Sequence, residues 1–232
     1  MNYKTKIVLT SLIVAFDVVL LCSIVIIRNA TMENKLKEVV NSLIALDFTK
    51  DRYNTPVKNS GRYGKVEKSI KTYLDDYAVL LQDVINDVND EKLTKVLSYE
   101  NYQKDGPEFK ESLAYISKAK EEFNKNIDKL IASSEKKSII DYGNEQLSSS
   151  RSLELYKELM LSDSMLNDFK ETQTNLTEAK TRYNNIYNTS NSVLNFLVKN
   201  KSNWKLEKGE IKFKTTALYN EYNKMIKKIK WP

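Results

Sequence analysis

Asp83, Asp87, Asp90 and Glu91 recur at helical spacing, the kind of carboxylate cluster that attracts a cation. A calcium loop of the EF-hand type also needs a glycine-containing turn and free backbone carbonyls, and neither accompanies these residues. A solvated helix face is therefore the expectation, and Glu121-Glu122 is read the same way. Fourteen tyrosines offer a ligand surface, but Tyr73, Tyr77, Tyr156 and Tyr183 fall in apolar registers and are expected in the core. The chain has no histidine, which removes Ser-His-Asp and Cys-His catalysis and His-ligated metals. Cys22 is the only cysteine, so neither an internal disulfide nor a thiolate cluster can form. Neither a glycine-rich phosphate loop nor a G-x-S-x-G elbow occurs. No catalytic residue, metal ligand or cofactor is assigned.

Charge singles out the other candidates. The chain of 232 residues carries +6 overall. From Lys199 onward ten lysines face only Glu207, Glu210 and Glu221, so the tail holds +7 and everything before it −1. Lys224, Lys227, Lys228 and Lys230, beside Trp231, suit anionic lipid headgroups or an anionic wall polymer. They equally suit a terminal helix that keeps its lysines in water. Asp17 is the one charge in the apolar run 7–27, with Thr10 on the same helical face. An intramembrane carboxyl either makes a helix–helix contact, to a basic residue or to its own copy, or stays protonated and tolerated.

That run must position the rest. At 1.5 Å per residue it is about 31 Å long, which predicts an uncleaved transmembrane helix. Ile27-Arg28-Asn29-Ala30 is a poor cleavage site. The short n-region, residues 1–6, has the form of a signal anchor. The expected localisation is a single-pass cell-membrane protein with its soluble domain outside. Lys4 and Lys6 before the span and Arg28, Lys35 and Lys37 after it leave the opposite topology open.

The remainder reads as helices. Residues 28–49 extend the anchor helix and 50–64 form a loop around Pro56, Gly61 and Gly64. A helical-bundle domain fills 65–232. Val66, Ile70, Tyr73, Leu74 and Tyr77 begin one apolar face that continues to Val88. Asn89-Asp90 caps a short helix, Pro107 opens another through Phe109 to Leu130, and Gly143 stops a third. Ser148 to Ser150 starts one more, and a long helix runs from Asp163. Residues 204–213 alternate about Lys208-Gly209 as a β-hairpin with Trp204, Leu206, Ile211 and Phe213 on one face. The last helix spans 216–229. The fold class expected is all-α, one N-terminal transmembrane helix followed by an antiparallel helical bundle with a small hairpin.

Thr172-Gln173-Thr174-Asn175-Leu176-Thr177-Glu178-Ala179-Lys180-Thr181-Arg182-Tyr183-Asn184, with Asn191 beyond, resembles the late helix of the LemA family, T-E-x-x-I-x-x-A-R-x-x-Y-N. The family's earlier W-x-x-I and D-L-I-P-x-L patterns do not occur in this sequence. The resemblance implies a membrane-anchored helical bundle without established enzymatic chemistry. The whole chain also looks like single-span helical proteins of low-G+C Gram-positive bacteria. The expected function is a non-enzymatic helical domain at the cell surface, binding a protein partner, itself or the envelope, and not nucleic acid. A cytosolic scaffold on an N-out anchor and an enzyme using carboxylates or lysine are the alternatives.

Overall fold

The computed structural model describes residues 28–43, 46, 53 and 55–229. They are mostly helical, with one two-stranded sheet. Helix α1 covers 28–43. It is followed by α2 (Gly61–Val88), α3 (Glu91–Lys95), α4 (Tyr99–Asp105), α5 (Lys110–Ser133), α6 (Lys136–Gln146), α7 (Ser150–Met160) and α8 (Asp163–Lys199). Strands β1 (Trp204–Glu207) and β2 (Glu210–Phe213) and helix α9 (Thr216–Ile226) complete the order.

Among the described residues no helix is long and apolar enough to cross a membrane. This corrects the expected fold class and the transmembrane, signal-anchor and single-pass reading that went with it. The long described helices are amphipathic, and charges interrupt every apolar stretch, as Lys68, Lys71, Asp75, Asp76, Asp83 and Asp87 do in α2. Residues 7–27, with Thr10, Asp17 and Cys22, lie outside the described residues, as do Lys230 and Trp231.

The chain divides into two compact units. Unit 1 holds the described residues up to Asp75 together with Ile140–Met165. Its core draws Leu36, Val40 and Leu43 from α1, Val66, Ile70 and Leu74 from α2, and Tyr156 and Met160 from α7. Burying one large apolar side chain is worth about 1.5–3 kcal/mol, so periodic spacing on three helices is enough to set their facing sides. Helix α6 runs through Gly143 instead of ending there. A Cβ at Gly143 would meet the Tyr156 ring at 2.7 Å. The glycine admits an aromatic ring and does not serve as a stop.

Unit 1 also holds an ion pair that spacing alone does not reveal. Lys71 Nζ lies 2.7 Å from Glu67 Oε1, and both side chains are almost fully buried. Glu67 accepts the backbone N–H of Lys58 at 2.9 Å and that of Asn59 at 2.8 Å. Asn59 Nδ2 donates to it at 2.9 Å. Lys71 donates to the Pro56 carbonyl at 2.8 Å. Burial works to raise the Glu67 carboxyl, but the Lys71 ammonium and the Lys58 and Asn59 donors hold it below its ordinary value. The pair clamps the 55–60 segment onto α2.

Unit 2 comprises Asp76–Ile139 and Leu166–Pro232. Its core joins Val84 of α2, Ile116, Phe123, Ile127 and Leu130 of α5, and Ile186, Leu194 and Leu197 of α8. Asp90 caps α3, accepting the Lys92 N–H at 2.8 Å. Helix α5 starts at Lys110, later than Pro107 suggests, because Asp105 accepts the N–H of Ser112 at 2.7 Å and that of Glu111 at 3.2 Å. Phe109, left-handed at φ 49°, buries its ring against Tyr102 and Trp204.

The hairpin pairs Trp204 with Phe213 and Leu206 with Ile211. Positive φ at Lys208 (51°) and Gly209 (83°) gives the two-residue turn whose twist matches the strands. A lone hairpin is marginal, and this one is docked. Trp204 Nε1 donates to the Leu197 carbonyl at 2.8 Å, and Phe213 packs on Phe196 and Tyr222. The Tyr222 and Tyr102 hydroxyls share a hydrogen bond of 3.0 Å.

Candidate functional site

Three segments of unit 2 enclose a cleft of about 470 Å³. The last turn of α2 supplies Asn86 and Asp87, and the cap residue Asp90 follows. Helix α5 contributes Tyr115, Lys118, Ala119 and Glu122, which share one face at i, i+3, i+4 and i+7. Tyr187 closes it from α8. The α5 stripe faces the cleft because the neighbouring Ile116–Phe123–Ile127 stripe is committed to the core. Phe123 packs against Tyr187 and Tyr183, with ring centroids 5.9 and 5.5 Å apart, and so fixes the α8 wall.

Two carboxylates are partly engaged. Asp87 Oδ2 accepts Asn126 Nδ2 at 2.9 Å. Asp90 Oδ2 accepts the Tyr115 hydroxyl at 2.6 Å while its other oxygen caps α3. Lys92 Nζ sits 4.4 Å from the centre of the Tyr115 ring. Lys118 lines the cleft itself and lies 3.7 Å from Glu122, with both side chains more than half exposed. Asp87 and Asp90 have no cationic partner among the described residues.

The electrostatics follow from that imbalance. Burial raises the Asp87 carboxyl, and the negative charges of Glu122, Asp83 and Asp90 raise it further against the Asn126 hydrogen bond. Burial and then the hydrogen bond to Asp90 push the Tyr115 phenol up. Burial followed by the charges of Asp87 and Asp90 does the same to Tyr187. Tyr187 is 1% exposed and lines the cleft. The cleft thus offers a surplus of negative charge between two aromatic walls.

The acidic residues read from the sequence as a solvated face separate on folding. Asp87 and Asp90 line the cleft, Asp83 is exposed beside it, and Glu91 pairs with Lys95 on the surface at 2.6 Å. Glu122, read as an ordinary surface charge, joins Asp87. The sequence carried no signal for that meeting, nor for Tyr187, whose helical register is that of a core residue. Tyr73, Tyr77, Tyr156 and Tyr183 are buried. Lys224, Lys227 and Lys228 are exposed at the end of α9, and Lys228 borders a separate groove with Thr181 and Ile186. No group of three or more carboxylate or cysteine residues that could hold a metal ion occurs among the described residues.

No family model, no curated protein and no solved structure matches this chain.

Proposed function

We propose that this protein is a non-enzymatic helical binding protein, and that unit 2 recognises a positively charged group in the cleft between Asp87, Glu122 and Tyr187. The carrying observation is the surplus of negative charge there: Asp87 and Asp90 face the cleft without a cation among the described residues, and Glu122 has only an exposed ion pair with Lys118 at 3.7 Å. A low-dielectric wall strengthens attraction to an incoming cation. Catalysis is not favoured, because Asp90 is occupied by a helix cap and by Tyr115, and no nucleophile stands beside a base in the cleft. The chain also lacks the histidine that most often moves protons.

Cationic and anionic probes of equal size, such as trilysine and triglutamate peptides carrying a fluorophore, test this reading by fluorescence anisotropy. The cationic probe should bind, weaken with salt, and be lost in a variant combining Asp87→Asn, Asp90→Asn and Glu122→Gln. Preference for the anionic probe, or binding of neither trilysine nor a small amine, would overturn it.

A further inference from the structure

The hairpin ladder fixes which way its backbone groups point. The Lys214 N–H donates to the Asn203 carbonyl at 2.9 Å, one step beyond the Trp204–Phe213 pair. Hydrogen-bonded and non-bonded pairs alternate along an antiparallel ladder, so Trp204–Phe213 and Leu206–Ile211 are the non-bonded ones. The N–H and C=O groups of Ile211 and Phe213 therefore point away from β1, along the outer edge of a two-stranded sheet. Among the described residues no backbone hydrogen bond outside the ladder uses them. A groove of about 500 Å³ runs along that edge. All four residues of β2 line it and none of β1 does, and Thr216, Tyr219 and Asn223 of α9 form its other wall. Ile211 and Phe213 belong to one face of the strand, Glu210 and Lys212 to the other, and a space that meets both faces lies at the edge between them.

Exposed edges are ordinarily guarded by an unpaired lysine, a proline, a bulge or a covering element. β2 has no proline and an unbroken register, and its one lysine, Lys212, is paired with Glu210 on its own strand. Tyr219 stands in the groove 48% exposed, one of the few large apolar side chains that the described residues leave in solvent. The surrounding charge is positive. Lys208 and Lys214 flank the strand and Lys224 follows Asn223, all exposed and none in an ion pair among the described residues. The first turn of α9 holds no acidic residue.

We propose that the outer edge of β2 takes up an extended segment of another protein as a third, antiparallel strand, and that the segment alternates apolar and acidic side chains. Its apolar side chains share the face of Ile211 and Phe213, and its acidic ones fall on the other face with Lys212. Main-chain hydrogen bonds supply affinity, and the alternation supplies selectivity. The positive surroundings favour acidic over basic segments. The groove shares no residue with the Asp87 cleft and stands or falls independently of it.

The test is fluorescence anisotropy of the full chain with a labelled heptapeptide of alternating valine and glutamate. The comparison peptides are versions N-methylated on every valine or on every glutamate, a version with lysine in place of glutamate, and a block peptide of the same composition. The alternating peptide should bind saturably. In an antiparallel register the residues bonded to Ile211 and Phe213 are the valines, so methylating their nitrogens should weaken binding by about tenfold or more. Methylating the glutamate nitrogens, which face away from β2, should not. Tyr219→Ala and Lys214→Glu should each weaken binding about threefold. Lys170→Glu, near the other end of α8 from the hairpin, should leave it unchanged. Thermal denaturation establishes that each variant is folded, and peptide methylation tests the edge without altering the protein at all. Equal effects of the two methylations would overturn the proposal, as would equal binding of the block or lysine peptide, or binding of none. Ile211→Pro removes one outward N–H at an edge position where proline is tolerated. Sedimentation of the chain as a dimer that this substitution dissolves would assign the edge to a second copy and likewise overturn the proposal.

Discussion

In unit 1 the Glu67 carboxylate receives the Lys71 ammonium, two backbone N–H groups and the Asn59 amide, and Lys71 in turn donates to a carbonyl. In unit 2 the Asp87 carboxylate receives one amide donor and faces other carboxylates. Both regions place acids among apolar helices, yet the first uses up its hydrogen-bonding capacity internally and the second leaves capacity over. The opposite displacements of the two carboxyls express this: Glu67 lies below its ordinary value and Asp87 above. Internal completion fixes a segment of chain, whereas incompleteness at a cleft wall is what a ligand can use.

The comparison breaks most easily at Lys71. Lys71→Met keeps the length of the side chain but leaves Glu67 buried without its cation, and should cost about 3–5 kcal/mol of unfolding free energy in urea. Lys95→Met, which removes the same i,i+4 partner from Glu91 on the surface, should be nearly silent. If the two substitutions behaved alike, the clamp would be an ordinary surface pair and the contrast with the cleft would vanish.

Two tyrosines sharpen it. The Tyr156 hydroxyl in unit 1 is sealed in the core without a hydrogen-bond partner. Removing an unsatisfied buried group should help, so Tyr156→Phe is expected to stabilise by about 1 kcal/mol. Tyr187 lines the cleft, and Tyr187→Phe should leave stability unchanged within about 0.5 kcal/mol. A stability gain at Tyr187 as large as that at Tyr156 would mean that its hydroxyl is merely buried.

The smallest effect concerns pH. Because the folded protein raises the Asp87 carboxyl, ionising it works against the fold, and that penalty is present above the raised value and disappears as pH falls through it. Asp87→Asn should therefore melt slightly higher than wild type at neutral pH, with the gap closing in acid. The facing groups are Asp83, Asp90 and Glu122, with Asn126, Tyr115, Tyr187 and Lys118, and Lys92 lies against the Tyr115 ring. Glu67 runs the other way: its contribution is present above the unfolded carboxylate value and is lost as pH falls through its lowered one. A neutral-pH melting point for Asp87→Asn at or below that of wild type would show that its charge is already compensated.

Much of the local structure was legible in the residues. Asp90 before an apolar turn marked a cap, Lys208-Gly209 between alternating segments marked the hairpin, and the apolar spacing from Asp163 marked the long helix. These signals are written within a few residues of where they act, through side-chain oxygens, left-handed backbone and helical periodicity. Gly143 shows the limit of such reading. A glycine at a helix end and a glycine under a ring look alike in one dimension, and the Tyr156 ring comes from another helix.

What the sequence by itself determined is therefore the set of helices, their apolar faces and the hairpin, because those depend on neighbours along the chain. Only the tertiary structure decided what the charges do. Glu67 and Lys71 have the same spacing as Glu91 and Lys95, and one pair is sealed while the other stands in water, because residues 55–60 cover the first. Asp87, Glu122 and Tyr187 lie on three helices far apart in the chain, and their meeting depends on which faces the core of unit 2 claims. Burial and company set the energy of a charge, and neither is a property of sequence spacing.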